Sequence, residues 1–189
     1  DSILAIDDDM KSPAVLRYVI RRSLGLDQRD EEKARRWIDR LRVLEGETEF
    51  TIQSQLLLYQ IAGERDKALD LAARACDEMG FGTAEVRFAY GLLLVLKNDR
   101  DGALRQWRLA NELSPRDLRV AVALSDLLAT NGETTQAIEV LRRTNLAIGS
   151  QDQNFRERWL AAEQTIGNSL IVINERRRVF EVDPGNVVN

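Results

Sequence analysis

This chain is poor in histidine and cysteine, two residue types that often carry out acid–base and nucleophilic chemistry. The 189-residue sequence contains no histidine, which removes the commonest general base and the commonest metal ligand of enzymes. The one cysteine, Cys76, lies in an apolar helical pattern, where a thiol is more often a small buried side chain than a nucleophile. A serine or cysteine nucleophile would also lack its usual base. The sequence therefore predicts no catalytic residues, no metal site, no cofactor and no enzymatic activity.

Two runs of like charge are the remaining candidates for ion or phosphate binding. The acidic run Asp7–Asp9 lacks the glycine turn and the later bidentate glutamate of a calcium loop, so we interpret it as a solvated turn. The basic run Arg176–Arg178 spreads over most of a helical turn, which favours a solvated outer face. With a net charge of −4 and a pI near 5.1, the chain is not expected to bind nucleic acid.

The composition favours helices as the elements that position these side chains. The chain is 44% apolar and 31% charged and contains only three prolines. No apolar run approaches the length of a membrane span, so we expect no direct membrane insertion. The sequence begins at Asp1 without a methionine, which we interpret as a sign of an excised or processed piece, and its compartment, cytoplasmic or periplasmic, stays open.

Small residues recur along the chain with a period of 34 or 35 residues. The members of this small-residue column are Ala34, Ala68, Ala103, Ala137 and Val172. A small side chain at a fixed place in each period lets the second helix of a pair approach the first. A repeat of this length indicates an array of similar supersecondary units.

Two further columns keep the same register. The turn column, five residues earlier, consists of Arg29, Gly63, Asn98, Gly132 and Gly167. The end column, twelve residues after the small residue, consists of Gly46, Gly80, Pro115, Gly149 and Pro184. Glycine and asparagine tolerate the left-handed backbone that a helix C-cap often demands, and every end-column residue is of a helix-ending type. The columns together predict helix pairs. The two helices of each pair are joined at a turn-column residue, and the second helix ends at an end-column residue.

Serine followed by proline marks the expected start of two of these pairs. Ser12–Pro13 and Ser114–Pro115 each combine an N-cap residue with a proline suited to the first helical position. We therefore expect helices to begin at these two sites.

Helix pairs of this period resemble tetratricopeptide repeats (TPR). The third pair matches the family pattern best, through Tyr90-Gly91, Leu94, Ala103, Trp107, Ala110 and Pro115. The resemblance implies an all-α fold, a right-handed α-solenoid of antiparallel helix pairs with about five repeats. We expect one repeat domain over 1–189, with repeats at approximately 15–48, 49–83, 84–117, 118–152 and 153–186. Residues 1–14 are interpreted as the end of a preceding repeat, so the chain is expected to be a fragment of a longer array.

The resemblance also implies a binding surface. In proteins similar to this one, the first helices line a concave face that binds an extended or helical peptide. The family register places on this groove Gln53, Leu57, Gln60, Phe88, Leu92, Val95, Val122 and Asp126. One interpretation is an apolar ligand strip centred on Leu57, Phe88 and Leu92. The other is that these residues pack against neighbouring helices or against the remainder of a larger parent protein, because an apolar strip marks an interface only if it is exposed.

The family's chaperone-binding subtype is not expected. That subtype captures a C-terminal carboxylate with lysine and asparagine in the groove, whereas apolar residues, among them Leu57, Phe88 and Val122, stand in those columns here. The sequence thus predicts a non-enzymatic scaffold, of bacterial type, that binds a protein or peptide partner. Two alternatives stay open: a periplasmic TPR segment of an envelope or polysaccharide export protein, and a partner-sensing array of a regulatory or enzyme-linked protein.

Overall fold

The fold is built from α-helices joined by short turns. The computed structural model describes residues 12–26, 29–149, 152–165, 167, 168, 171, 172, 174 and 175, which contain no β-strand. The helices are α1 (Pro13–Leu24), α2 (Glu31–Glu45), α3 (Glu49–Ile61), α4 (Arg65–Asp77), α5 (Ala84–Leu96), α6 (Arg100–Leu113), α7 (Leu118–Thr130), α8 (Thr134–Ala147) and α9 (Gln153–Thr165). The charged runs Asp7–Asp9 and Arg176–Arg178 and the end-column Pro184 lie outside the described residues.

The chain divides into two compact units, which are described separately. The first unit extends to Gln106 and the second begins at Trp107. In the first unit α1 packs against α2 and α3 against α4. In the second unit α7 packs against α8, and α8 against α9. Because only three residues, 62–64, connect α3 to α4, these two packed helices must run antiparallel.

The small-residue column is buried, as the sequence predicts. All five of its members are buried: Ala34, Ala68, Ala103, Ala137 and Val172. In the first unit, Ala34 belongs to a core cluster with Leu16, Ile20 and Ile38. Ala68 belongs to a second cluster there. A side chain of one methyl group at these places leaves no volume for a larger residue, because protein interiors are close-packed.

Four of the five turn-column residues adopt the predicted left-handed backbone, and Arg29 does not. The φ angles are +71° at Gly63, +63° at Asn98, +82° at Gly132 and +79° at Gly167. Asn98 is the one non-glycine residue with positive φ among those described, and asparagine is one of the few side chains that tolerate this region. After three of these residues a new helix begins within three positions, so the left-handed residue reverses the chain between the paired helices.

The glycines of the end column behave in the same way. Positive φ angles of +78°, +74° and +69° occur at Gly46, Gly80 and Gly149. Gly46 follows directly on the last residue of α2, and its amide donates to the Arg42 carbonyl at 2.8 Å. The prediction that these glycines end helices is confirmed.

The two expected helix starts have different outcomes. Ser12–Pro13 begins α1 as predicted, with the proline inside the first turn. The prediction for Ser114–Pro115 is wrong, because α7 begins at Leu118 and its N-cap is Asp117.

The Asp117 carboxylate accepts from the Arg119 amide at 3.0 Å. Side-chain hydrogen bonds from Arg119 then lower the pKa of Asp117, which favours the charged cap. A carboxylate at a helix N-terminus also interacts favourably with the helix dipole, so it displaces the serine as the cap.

A buried carboxylate joins α8 to α9 in the core of the second unit. Glu163 has no solvent exposure. Its Oε1 accepts from the Arg142 guanidinium at 2.6 Å and from Trp159 Nε1 at 2.9 Å. Its Oε2 accepts from Asn168 Nδ2 at 2.7 Å. Burial by itself raises the pKa of Glu163, but the hydrogen bonds from Asn168, Arg142 and Trp159 outweigh burial, so the net pKa is lowered.

Candidate partner-binding surface

Helix α3 exposes one leucine out of a run of three. Leu56 and Leu58 are buried in the core of the first unit, whereas Leu57 between them is 43% exposed. Successive helical residues point about 100° apart. When Leu56 and Leu58 both border the core, Leu57 between them therefore points toward solvent. Gln53 and Gln60 are four residues before and three residues after Leu57, which places all three on one face of α3.

Helix α5 exposes a second, larger set of apolar side chains. Leu92 is 40% exposed and Val95 is 39% exposed. Phe88, one turn earlier on the same face, is partly buried. The sequence reasoning missed Leu96, which is 62% exposed. Its position four residues after Leu92 is the signal that could have found it, because residues i and i+4 share a helix face.

These two faces belong to neighbouring helices. Helices α3 and α5 contact each other within the first unit, although α4 separates them in sequence. We call the α3–α5 strip the exposed residues Leu57, Leu92, Val95 and Leu96 together with the partly buried Phe88. The polar flank on α3 is made by Gln60, which is exposed, and by Gln53, whose Nε2 donates to Glu49 Oε1 at 2.9 Å. The strip therefore offers apolar area that is bordered on α3 by neutral amides.

The two groove residues predicted in the second unit have other surroundings. Val122 is partly buried and packs against the core cluster of that unit, which includes Phe155 and Trp159. Asp126 is exposed and forms an ion pair with Arg158 of α9. The Val122 side chain thus packs mainly within its own unit, and the Asp126 carboxylate is already paired with a guanidinium of α9.

The described residues contain neither an activated cysteine nor a cluster of metal-ligating side chains. Burial raises the pKa of the Cys76 thiol, so this cysteine stays protonated near neutral pH. Within the described part of the chain, no three histidine, cysteine, aspartate or glutamate residues are grouped closely enough to hold a metal ion. Nor does any described helix combine the length and the apolar character that crossing a membrane requires.

Comparison of the sequence with known proteins gives no match. No protein-family model matches the chain, and no curated protein matches it significantly. The structural comparison is more informative because fold similarity extends to sequence identities far below the range that sequence comparison detects.

Solved structures similar to this chain share its fold at low sequence identity. PilF of Pseudomonas aeruginosa aligns with 94% of this chain and 79% of its own, with a TM-score of 0.67 and 12% identity. YrrB, described as a TPR protein with an unusual peptide-binding site, aligns with 98% of this chain and 94% of its own, with a TM-score of 0.59 and 14% identity. A chain of Naa15/Naa10 bound to HypK-THB aligns with 94% of this chain at a TM-score of 0.66 and 14% identity, and this chain spans only 25% of its length.

The similarity to YrrB covers nearly the whole of both chains and agrees with the helix pairs, the buried small-residue column and the left-handed turns described above. The all-α, TPR-like fold predicted from the sequence is therefore confirmed.

Proposed function

We propose that this chain is a non-enzymatic protein-interaction scaffold and that the α3–α5 strip binds a peptide or protein partner. The observation that carries the proposal is the exposure of Leu57, Leu92, Val95 and Leu96 on two helices in contact. Four large apolar side chains left in water on adjacent elements are unfavourable for an isolated protein and favourable for an interface.

The chemistry of the strip favours an apolar partner surface. Its own members carry no charge, and the residues that flank Leu57 on α3, Gln53 and Gln60, are neutral. An amphipathic helix or an extended segment with regularly spaced apolar side chains fits such a surface, and burial of a few large side chains usually dominates the affinity. The peptide-binding site named for YrrB supports this class of partner. The lack of lysine on the strip speaks against capture of a chain's terminal carboxylate.

For the second unit we propose a smaller contribution. Because Val122 packs on its own core and Asp126 is paired with Arg158, neither offers the free apolar area that Leu92 offers. The predicted concave-face groove is thus proposed to depend mainly on the first unit.

The test compares two leucines with the same exposed fraction. Leu92 in the strip and Leu109 in α6, outside it, are each 40% exposed. Peptides are selected from a displayed random library against the unsubstituted chain, and their affinities are measured by titration calorimetry. We expect Leu92→Asp to weaken binding at least about tenfold, since it places a charge in the apolar contact, and Leu109→Asp to change it by less than about twofold. If the two substitutions weaken binding equally, or if Leu92→Asp leaves binding unchanged, the strip is not part of the peptide-binding interface.

Phe88→Asp separates the two interpretations of that side chain. If Phe88 contacts the partner, the variant loses peptide binding and keeps the circular dichroism of the unsubstituted chain. If Phe88 instead packs between helices, the variant loses helicity as well, because a charge would then be buried without a partner.

A further inference from the structure

Helix α1 is basic, although the chain as a whole is acidic. Its 12 residues contain three arginines and no acidic residue, whereas the net charge of the chain is −4. Within the first unit α1 contacts α3, the helix that carries Leu57 of the α3–α5 strip. A cationic helix therefore lies beside the apolar surface that is proposed to bind a partner.

Two of these arginines contact one aromatic ring of α3. The guanidinium carbons of Arg17 and Arg21 lie 5.6 Å and 5.4 Å from the centroid of the Phe50 ring. Cations at this distance are attracted by the face of an aromatic ring. Arg17 and Arg21 are one helical turn apart, so they share the face of α1 that is turned to Phe50. The ring thus orders both guanidiniums before a ligand binds, which lowers the entropy cost of using them.

The two guanidiniums differ in their ionic partners. Arg17 donates to Glu45 Oε2 at 2.6 Å, so its charge is already compensated. Arg21 is exposed, and no carboxylate of the described residues forms an ion pair with it. A guanidinium presents a fork of N–H donors that matches the two oxygens of a carboxylate. Arg21 therefore offers a cation to a carboxylate from outside the described residues.

Phe50 places this cation at a defined distance from the strip. Phe50 and Leu57 are both in α3, seven residues apart, so they lie on the same face of the helix. Their separation along the helix axis is about 10 Å, at a rise of about 1.5 Å per residue. About three residues of an extended segment, at roughly 3.3 Å each, cover the same distance. A segment that contacts Leu57 is thus long enough to reach Arg21 with a nearby side chain.

We propose that the partner of the α3–α5 strip is a segment that carries a side-chain carboxylate about 10 Å from the apolar side chain on Leu57, and that this carboxylate pairs with Arg21. The proposal rests on the function proposed for the strip. The apolar contacts supply most of the affinity, and the ion pair selects acidic segments and speeds their association, because charge complementarity acts mainly on specificity and on the rate of encounter.

The test uses peptides selected from a displayed random library against the unsubstituted chain. The tightest peptide is synthesised with both ends blocked, so that it has no terminal carboxylate, and in a second form whose aspartates and glutamates are replaced by asparagine and glutamine. Titration calorimetry measures both forms against the unsubstituted chain and against Arg21→Gln. We expect Arg21→Gln to weaken binding of the acidic form at least about threefold and binding of the amide form by less than about 1.5-fold.

Arg36→Gln is the matched control. Arg36 is an exposed arginine of α2, so the substitution makes the same change in net charge, and we expect it to change binding of either form by less than about 1.5-fold. Equal weakening of the acidic form by both substitutions would assign the effect to net charge and overturn the proposal. Selected peptides without acidic residues, or equal effects of Arg21→Gln on the two forms, also overturn it.

Leu92→Asp, measured with the amide form, separates this proposal from the proposed function. If Leu92→Asp weakens binding while Arg21→Gln does not, the strip binds the peptide and only the acidic specificity is wrong. If Leu92→Asp leaves binding unchanged, the proposed function of the strip fails, and the assignment of Arg21 fails with it.

Discussion

At the scale of single residues, Glu163 accepts hydrogen bonds from three side chains of the second unit. A fully buried carboxylate is tolerated only when hydrogen bonds replace the water that it loses, and Arg142, Trp159 and Asn168 provide them. We expect Glu163→Gln to lower the free energy of unfolding by about 1–3 kcal/mol, because the Arg142 guanidinium loses its charged acceptor. Urea denaturation at neutral pH measures this difference.

The acid dependence of stability provides a second test of Glu163. Its pKa is lowered in the folded chain, so the folded state binds fewer protons than the unfolded state and the carboxylate stabilises the fold. This contribution is complete above the ordinary value of 4.5 and is lost as the pH falls through the lowered folded value. Glu163→Gln should therefore flatten the loss of stability in acid.

Glu139→Gln is the control for this prediction. Glu139 also pairs with Arg142, but it is partly exposed, and exposed ion pairs contribute little to stability. A flattening as large in Glu139→Gln as in Glu163→Gln would contradict the role given to burial.

Side-chain partners of this kind could not be predicted from the sequence. Asp126 and Arg158 are 32 residues apart, and Arg142 and Glu163 are 21 residues apart. Their pairing depends on how α7, α8 and α9 pack, and no local pattern records it. The exposure of Leu57 could not be predicted locally either. Leu56, Leu57 and Leu58 are the same residue type, and only the orientation of α3 against the core decides which of them is exposed.

At the scale of elements, the register of the helix pairs is tested at Ala103 of α6. Ala103 is fully buried in the small-residue column, so a longer side chain has no space there. We expect Ala103→Leu to lower the free energy of unfolding by about 1–3 kcal/mol through overpacking. Denaturant unfolding measures the difference, and Ala129→Leu, at an exposed position of α7, serves as the control and should change stability by less than about 0.5 kcal/mol. A neutral result at Ala103 would count against the proposed repeat boundaries.

The elements themselves were largely predictable because their signals are local. A positive φ strongly favours glycine or asparagine, so Gly63, Asn98 and Gly132 reveal the turns without any knowledge of the packing. The start of α7 was not predictable with the same certainty. Ser114 and Asp117 are both good capping residues three positions apart, and the choice between them depends on which carboxylate or hydroxyl reaches a free amide in the folded chain.

At the scale of the whole molecule, each of the two units has a hydrophobic core of its own. Leu160 is fully buried in the cluster that Phe155 and Trp159 form in the second unit. We expect Leu160→Ala to remove about 2–5 kcal/mol of stability through the lost burial and the resulting cavity.

Native-state hydrogen exchange should locate this loss. Protection should fall in α8 and α9, while the amides of α1 and α2 keep theirs, because repeat arrays gain stability from nearest-neighbour contacts and open locally. Equal loss of protection in all four helices would show that the chain unfolds as a single cooperative body instead.

The half-buried thiol of α4 has a practical consequence for such experiments. Cys76 is the only cysteine in the sequence, and in the folded chain it contacts the core cluster that contains Ala68 and Ala72. A protonated, partly covered thiol reacts slowly with alkylating reagents, whereas the same thiol in an opened helix reacts at the rate of a free cysteine. The ratio of the two labelling rates sets an upper limit on the opening equilibrium of α4, because a partly exposed thiol also reacts from the folded state. The alkylation rate of Cys76 thus reports opening of α4 in the first unit, which also contains the α3–α5 strip, and no engineered probe is needed.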